Sequence, residues 1–260
     1  MTHRHGFHHR FASHLVRASK RLLARSLVLG LTVWGLLGIA VLAEDFPVAA
    51  IPQGTRQVVM VRSEGTFRAT LTGWELGNRG WIRKAGPWPA VVGRGGFAPL
   101  NAKREGDGRT PSGVFSLGMA FGRPASVRTR LAYRQATRDD HWVDDPASPS
   151  YNQWVRGTPA AKSWESMLTP GGAYDAGIVI EYNTTPVVPG AGSAIFVHIW
   201  SGKGGKGTAG CVALERKRLL RLLRWLDSRA DPVIVLDPPT PDPGAHRRHE
   251  SAPSAGGPAR

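Results

Sequence analysis

The chain has 260 residues, a formal net charge of +15 at pH 7 and a single cysteine. One cysteine excludes an intramolecular disulfide, and no basic motif interleaved with aromatic residues indicates nucleic acid, so we expect no nucleic-acid partner. The charge fits either a solvated surface or attraction to polyanions such as cell-wall polymers and lipid head groups.

The first 43 residues have the pattern of an export signal. Residues 1–26 form a basic leader region without an acidic residue, and residues 27–43 carry no charge. Val41 and Ala43 are small residues placed before a cleavage point at Glu44. The sequence therefore predicts export across the cytoplasmic membrane to the periplasm or the cell wall. The apolar segment is either the signal-peptide core or an N-terminal anchor, and membrane contact is expected through it alone.

The rest of the chain divides by composition. Residues 44–55 are interpreted as a linker, and residues 56–237 are long enough for one domain with its own core. Residues 238–260 are rich in Pro, Gly, Ser and Ala and hold no large apolar side chain, so we expect a disordered tail.

Short strands separated by turns dominate the predicted domain. Its segments are rich in β-branched and aromatic residues, and glycine and proline punctuate them. In chain order the predicted strands are 57–61, 66–75, 81–86, 90–93, 177–183 and 193–200, followed by a last, edge strand at 231–237. The pattern predicts a mainly β domain with few helices.

One segment, residues 212–230, predicts an α-helix. Leu219, Leu222, Leu223 and Leu226 follow the i, i+3, i+4, i+7 spacing of one apolar helix face. This helix would begin directly after the single cysteine.

Cys211 is a candidate nucleophile. A lone cysteine is often a small buried hydrophobe, but an unpaired thiol in an exported protein is exposed to oxidation and needs a reason. Turn-like residues 208–210 precede it. A helix that starts near Val212 would place the thiol at the helix N-terminus, where the macrodipole favours the thiolate.

A nucleophilic thiol needs a base, and the predicted domain holds two histidines, His141 and His198. His198 lies near the end of the predicted strand 193–200. The Gly-rich loop 201–207 leads from that strand to Cys211, so the imidazole and the sulfur can come within about 3–4 Å of each other.

Other features of this region have competing interpretations. The backbone N–H groups of Gly210 and Val212, with that of Cys211, can bind a developing oxyanion. The loop 201–207 also suggests a phosphate cradle, but its Lys-Gly-Thr order departs from the Gly-Lys-Ser/Thr of a Walker A loop. His198 by itself fits a packed strand histidine, and the nearby cysteine favours the catalytic interpretation.

The segment SAIFVHIW…TAGCVAL resembles the active-site segment of the L,D-transpeptidase family of YkuD type. In that family a strand histidine is followed, after a loop, by Ser/Thr-x-Gly-Cys-Val/Ile. The segment KREGDGRTPSGVFSLGMAFG at 103–122 resembles the family's second signature, a Lys-x-Glu-Gly-Asp-Gly-x-Thr-Pro-x-Gly turn. The chain departs from many members at Ala209, where they have histidine, and at Ala213, where they have arginine.

The resemblance implies a β-sandwich-like L,D-transpeptidase catalytic fold with few helices and one helix following the active-site cysteine. It implies peptidoglycan stem peptides as partners, in cell-wall biosynthesis and cell-shape maintenance. Cys211 would be the nucleophile that forms a thioester, and His198 the general base and acid. Lys103, Glu105 and Thr208 are candidate substrate-binding residues, although the turn residues Asp107-Gly108 and Thr110-Pro111 also favour a structural role for the segment of Lys103 and Glu105. Neither a metal nor a cofactor is expected. Water as the acceptor would make the protein an L,D-carboxypeptidase.

Other protein classes compete with this interpretation. A papain-like peptidase places its cysteine before its histidine, which is the reverse of the order here. A non-catalytic wall-binding module that keeps the fold stays open because of the two alanine departures. For the group that orients His198, the preceding predicted strand offers Glu181, Tyr182 and Asn183.

Overall fold

The computed structural model of the chain describes residues 51–237, which form a mainly β domain. Its strands are β1 (Gln57–Ser63), β2 (Arg68–Gly77), β3 (Gly80–Val91), β4 (Gly113–Gly122), β5 (Tyr133–Gln135), β6 (Asp140–Val143), β7 (Trp154–Arg156), β8 (Trp164–Ser166), β9 (Gly177–Ile180), β10 (Phe196–Ile199), β11 (Val212–Leu214) and β12 (Val233–Leu236). The described helices are α1 (Arg216–Trp225) and two 3-10 turns, Gly202–Gly204 and Ser228–Ala230. The predicted mainly β fold with one helix after the cysteine is confirmed.

Several predicted segments lie outside the described residues. They are the leader 1–26, the apolar segment 27–43, most of the linker 44–55 and the tail 238–260. Within residues 51–237, no helix has the length and the hydropathy that a membrane span requires.

Nine strands form one sheet that closes on itself. The strand order is β12-β1-β2-β3-β11-β10-β9-β4-β5, and β12 also pairs with β4, so eight strands form a ring that β5 extends alongside β4. The prediction of a last, edge strand is therefore wrong, because Val233–Leu236 runs parallel to β1 and antiparallel to β4. All four residues of β12 are buried, and such a continuous apolar run suits a strand with neighbours on both sides.

The two predicted strands at 81–86 and 90–93 fall largely in one strand, β3. This strand pairs with β2, and a register shift at Gly73 bends the pair. A Cβ added at Gly73 would lie 2.9 Å from side-chain atoms of both Ala85 and Trp225, so the close approach at the bend requires glycine. Glycine marks a bend within the sheet at this point and does not end a strand.

Helix α1 is shorter than the predicted helix 212–230. It begins at Arg216, because Val212–Leu214 instead form β11 between β10 and β3. Since β11 separates Cys211 from α1, the prediction that the cysteine lies at a helix N-terminus is wrong. The predicted apolar face is fully buried in the main core, through Leu219, Leu222, Leu223 and Leu226.

Strands β6, β7 and β8 form a separate small sheet, which we call the cap sheet. Asp140 of β6 is fully buried and accepts hydrogen bonds from Thr137, Trp154 and Arg156, with Arg134 as a second cationic partner. Burial alone would raise the pKa of Asp140, but the hydrogen bonds from Arg156, Thr137 and Trp154 outweigh it and hold the pKa well below its usual range. This ionised carboxylate joins β6 to β7 and to Arg134 of β5.

Candidate active site

One cavity of about 250 Å³ brings together most of the predicted site residues. Residues of β10, of the loop before β11 and of the cap-sheet region line it. The predicted residues in the lining are Lys103, Glu105, His198, Thr208, Gly210 and Cys211. The side chains in it that were not predicted include Arg94, Asp144, Glu165 and Tyr174.

The parallel pair β10–β11 positions Cys211 relative to His198. Val197 is in register with Val212 and His198 with Ala213, and successive side chains point to opposite faces of a sheet. Cys211, one residue before β11, therefore lies on the same face as His198 of β10, offset by two residues. Their exposed fractions are 6% and 9%, so the cavity wall encloses both groups.

The thiol of Cys211 has two backbone partners. Its Sγ donates to the carbonyl oxygen of Ala194 at 3.1 Å and accepts the N–H of Phe196 at 3.3 Å. Ala194 has a φ of 52°, in the left-handed region that side chains disfavour, and Asn152 Oδ1 accepts its N–H at 3.0 Å. Backbone strain of this kind clusters at functional sites, and at Ala194 it accompanies a carbonyl that accepts from the sulfur.

The imidazole of His198 is oriented by the backbone. Its Nδ1 lies 2.8 Å from the carbonyl oxygen of Ile199, so Nδ1 carries the proton and Nε2 keeps its lone pair. The prediction of Glu181, Tyr182 or Asn183 in this role is wrong, because a neighbouring carbonyl takes the place of a side chain. Among the described residues, no hydrogen bond joins the ring to the sulfur in this structure.

Burial controls the ionisation of both groups. It lowers the pKa of His198 to about 4, and it raises the pKa of the Cys211 thiol to about 12, with the carboxylate of Glu165 adding to the second shift. At pH 7 the resting pair is therefore a neutral imidazole and a neutral thiol. The helix-dipole argument predicted the opposite direction for the thiol, and it fails because the helix begins at Arg216.

Thr208 fixes the loop that precedes the cysteine. Its hydroxyl donates to the carbonyl oxygen of Cys211 at 2.6 Å and accepts the N–H of Gly210 at 3.1 Å. The N–H of Gly210 is thus already engaged, and Val212 belongs to β11 outside the cavity lining. An oxyanion role for these amides, and a substrate-binding role for Thr208, stay predictions.

Lys103 and Glu105 reach the cavity from the segment before β4. Lys103 is buried, and its Nζ donates to Asp107 at 2.8 Å. Glu105 accepts hydrogen bonds from Tyr151 at 2.5 Å and from Ser193 at 2.7 Å. Both side chains are therefore held by structural contacts as well as lining the cavity, and their part in substrate binding stays a prediction.

The unpredicted lining residues have distinct environments. The hydroxyl of Tyr174 donates to Glu165 Oε2 at 2.5 Å, and its ring packs edge-on against His198 with 5.3 Å between the ring centroids. The Oδ1 of Asp144 is buried and has no hydrogen-bond partner among the described residues. Arg94 is exposed and forms no ion pair within residues 51–237. No short motif or periodic pattern marks these four positions.

The two alanines at the departures from the family pattern lie beside a second space. It measures about 150 Å³, and its lining includes His198, Trp200, Ala209 and Ala213. Within the described residues, no group of three or more histidine, cysteine or acidic side chains is arranged to hold a metal ion.

The sequence matches one family model over most of the described domain. The matched residues are 61–235, and the model is described as YkuD, L,D-transpeptidase catalytic domain. No curated protein and no solved structure matches the chain.

Proposed function

Because the chain belongs to the family of L,D-transpeptidase catalytic domains, we propose that it exchanges peptide bonds between peptidoglycan stem peptides through a thioester on Cys211. The family acts on peptidoglycan, which implies a location outside the cytoplasm. The observation that carries the proposal is the shared cavity, where Cys211, directly before β11, lies on the same face as His198 of β10.

The first step is the acylation of Cys211. The Sγ attacks the carbonyl carbon that precedes the terminal D-alanine of a tetrapeptide stem, and the thiol proton passes to Nε2 of His198. The C–N bond then breaks, and the imidazolium returns the proton to the leaving amine. Since both groups are neutral at rest, the sulfur is activated when its proton passes to Nε2 of His198.

The second step transfers the acyl group. An acceptor amine of a neighbouring stem attacks the thioester, His198 takes a proton from that amine, and the sulfur regains a proton as the S–C bond breaks. One amide replaces another, so the reaction needs no ATP outside the membrane. With water as the acceptor, the product would be a shortened stem with no cross-link.

We assign the terminal carboxylate of the donor peptide to Arg94. The other cation of the lining, Lys103, is already paired with Asp107, whereas the guanidinium of Arg94 has no ionic partner in the described part of the chain. The N–H of Arg94 donates to the carbonyl oxygen of Thr208 at 2.8 Å, which holds this residue against the loop of the cysteine. A guanidinium binds a carboxylate through two parallel hydrogen bonds.

The N-terminal residues complete the proposal. The basic leader 1–26 and the uncharged segment 27–43 would direct export, and both agree with a substrate that lies outside the cytoplasm.

Incubation with a muropeptide that carries a tetrapeptide stem, followed by mass measurement of the protein and the products, tests the proposal. We expect an acyl adduct on Cys211 and a cross-linked dimer. The variant C211A should fold but form neither species, and C211S should be nearly inactive because a hydroxyl ionises far less readily than a thiol. Full turnover by C211A would overturn the mechanism.

The histidines supply a matched pair of variants. H198A should lower the rate by about 10²–10⁴-fold, the usual contribution of general acid–base catalysis. H141A is the control, because the His141 ring packs edge-on against Trp164 and lies outside the cavity lining. A larger loss in H141A than in H198A would place the base elsewhere.

A further inference from the structure

Tyr174 contacts both members of the proposed catalytic pair. Its side chain is 7% exposed, and its ring packs edge-on against His198 and Phe196. Its hydroxyl donates to Glu165 Oε2 at 2.5 Å, and Tyr174 and Cys211 belong to one buried cluster and line the same cavity. The Glu165 carboxylate and the sulfur are therefore the two acceptors to which the phenol can turn.

The hydrogen-bond partners that stabilise the Cys211 sulfur change when the thiol loses its proton. The resting thiol donates to the carbonyl of Ala194, but a thiolate cannot donate, and that carbonyl oxygen then faces negative charge. The N–H of Phe196 remains as one donor. A second buried hydrogen-bond donor would stabilise the thiolate further, and the hydroxyl of Tyr174 can serve as this donor.

We propose that Tyr174 is a catalytic residue that donates its hydroxyl to the thiolate of Cys211, and that Glu165 is a positioning residue whose protonation decides where that hydroxyl points. The proposal rests on Cys211 being the nucleophile of the proposed function. When Glu165 is protonated, its O–H donates to the phenol oxygen and the phenol O–H donates to Sγ. When Glu165 is ionised, the phenol O–H turns to the carboxylate and the sulfur loses a donor.

No covalent bond to Tyr174 forms or breaks in this scheme. The thiol proton passes to His198 and then to the leaving amine, as in the proposed reaction. Burial raises the pKa of Tyr174 well above its usual value, so the phenol keeps its proton and acts as a donor rather than as a base.

The charged surroundings of Glu165 favour its protonated form. The side chain is largely enclosed, and burial raises its pKa. The hydrogen bond from Tyr174 works against this shift, while the nearby carboxylates of Asp144 and Glu105 add to it. The remaining titratable groups of the cavity are His198, Cys211, Lys103 and Arg94, and Lys103 is paired with Asp107.

Alkylation of Cys211 by iodoacetamide between pH 5 and pH 9 tests the relay in the full chain. At the acidic end of this range, where Glu165 is protonated, Y174F should slow alkylation about tenfold, which corresponds to the loss of one hydrogen bond to a charged group. At the alkaline end, where Glu165 of the wild type is ionised, E165Q should speed alkylation, because the amide cannot ionise and can still donate to the phenol oxygen. In the double variant Y174F/E165Q, most of that gain should disappear.

The double-mutant cycle separates the relay from a simple charge effect. An equal gain from E165Q with and without the Tyr174 hydroxyl would mean that Glu165 acts on the sulfur through its charge alone, and the proposal would be wrong. An unchanged rate in Y174F would also overturn it. The matched control is Y133F, since Tyr133 is a half-buried phenol outside the cavity whose hydroxyl donates to the carbonyl oxygen of Pro124 at 2.5 Å, and the alkylation profile of this variant should be unchanged.

The two proposals can fail separately. Alkylation reports on the sulfur without any peptide substrate, so the relay can hold even if the wild-type protein transfers no stem peptide. Conversely, turnover that depends on Cys211 and His198 but not on the Tyr174 hydroxyl would leave the proposed function intact and remove the relay. Melting temperatures of Y174F and E165Q near that of the wild type exclude a folding defect as the cause.

Discussion

His198 resists protonation because it is buried, and this costs the folded state stability in acid. Its pKa is lowered to about 4, whereas a histidine of an unfolded chain titrates near about 6.5. Between these values the unfolded chain binds a proton that the folded chain does not. The contribution of His198 is therefore fully present above about pH 6.5 and is lost as the pH falls to about 4. We expect the free energy of unfolding to drop by up to about 3 kcal/mol in urea titrations across this window.

The variant H198Q isolates this contribution. Glu165 changes the free energy of unfolding in the opposite direction. Burial raises its pKa, so as the pH falls the folded state binds this proton before the unfolded state does. The difference between the wild-type and H198Q curves cancels the Glu165 contribution, and this difference should change between pH 6.5 and pH 4. A flat difference curve would mean that His198 is not protonated on unfolding, while H141Q serves as the control outside the cavity.

Arg94 gives a second prediction at the residue scale. If its guanidinium binds the carboxylate of the donor peptide, R94A should raise KM about tenfold or more, as expected for the loss of a hydrogen bond to a charged group. The value of kcat should change less, since Arg94 does not touch the sulfur. R83A is the control, because Arg83 is an exposed arginine of β3 outside the cavity. Equal KM values for R94A and the wild type would assign the carboxylate to another group.

At the scale of elements, β12 is a structural strand of the closed ring. Ile234 is fully buried, and it is in register with Val59 of β1 and with Phe115 of β4. I234A should lower the free energy of unfolding by about 2–5 kcal/mol in urea titrations, the usual range for truncating a buried isoleucine. I82A removes the same atoms from a side chain that is 48% exposed and should cost much less. Similar losses in the two variants would contradict the central position of β12.

The cap sheet is expected to loosen without its buried carboxylate. D140N keeps the size of the side chain but removes the charge that Arg134 and Arg156 face, and we expect a loss of about 2 kcal/mol or more of local stability. Hydrogen exchange should increase in 140–166 more than in the barrel strands. D139N, at an exposed neighbouring aspartate, is the control and should leave the exchange rates unchanged.

At the start of α1, the sequence pattern alone could not distinguish a strand from a helix. The leucine face was predictable because four residues carry the helical period over about two turns. Val212–Leu214 are three apolar residues that fit a buried strand or a first helical turn equally well, and pairing with β10 and β3 decides between the two. Because Val212–Leu214 form a strand, the helix dipole that was predicted at the Cys211 thiol is not there to lower its pKa.

For the whole molecule, the cavity is assembled from segments that are far apart in the sequence. Cys211 and His198 were predictable because they lie in one short segment whose residue types carry the chemistry. Glu165 comes from β8 of the cap sheet and Tyr174 from the loop between β8 and β9, and only the folded chain brings them into the cavity of the sulfur. The carbonyl of Ile199, which orients the His198 ring, could not be identified from the sequence, since every residue has a carbonyl.

The 150 Å³ space beside Ala209 and Ala213 has a consequence for inhibitor selectivity. It shares His198, Thr208 and Ala209 with the lining of the main cavity, so the two spaces adjoin. An electrophile that reacts with Cys211 and carries a small apolar side arm would fill this space. The same compound would clash with the histidine and arginine that many relatives carry at these positions, so it should inactivate this protein selectively, and the variant A213R should lose that selectivity.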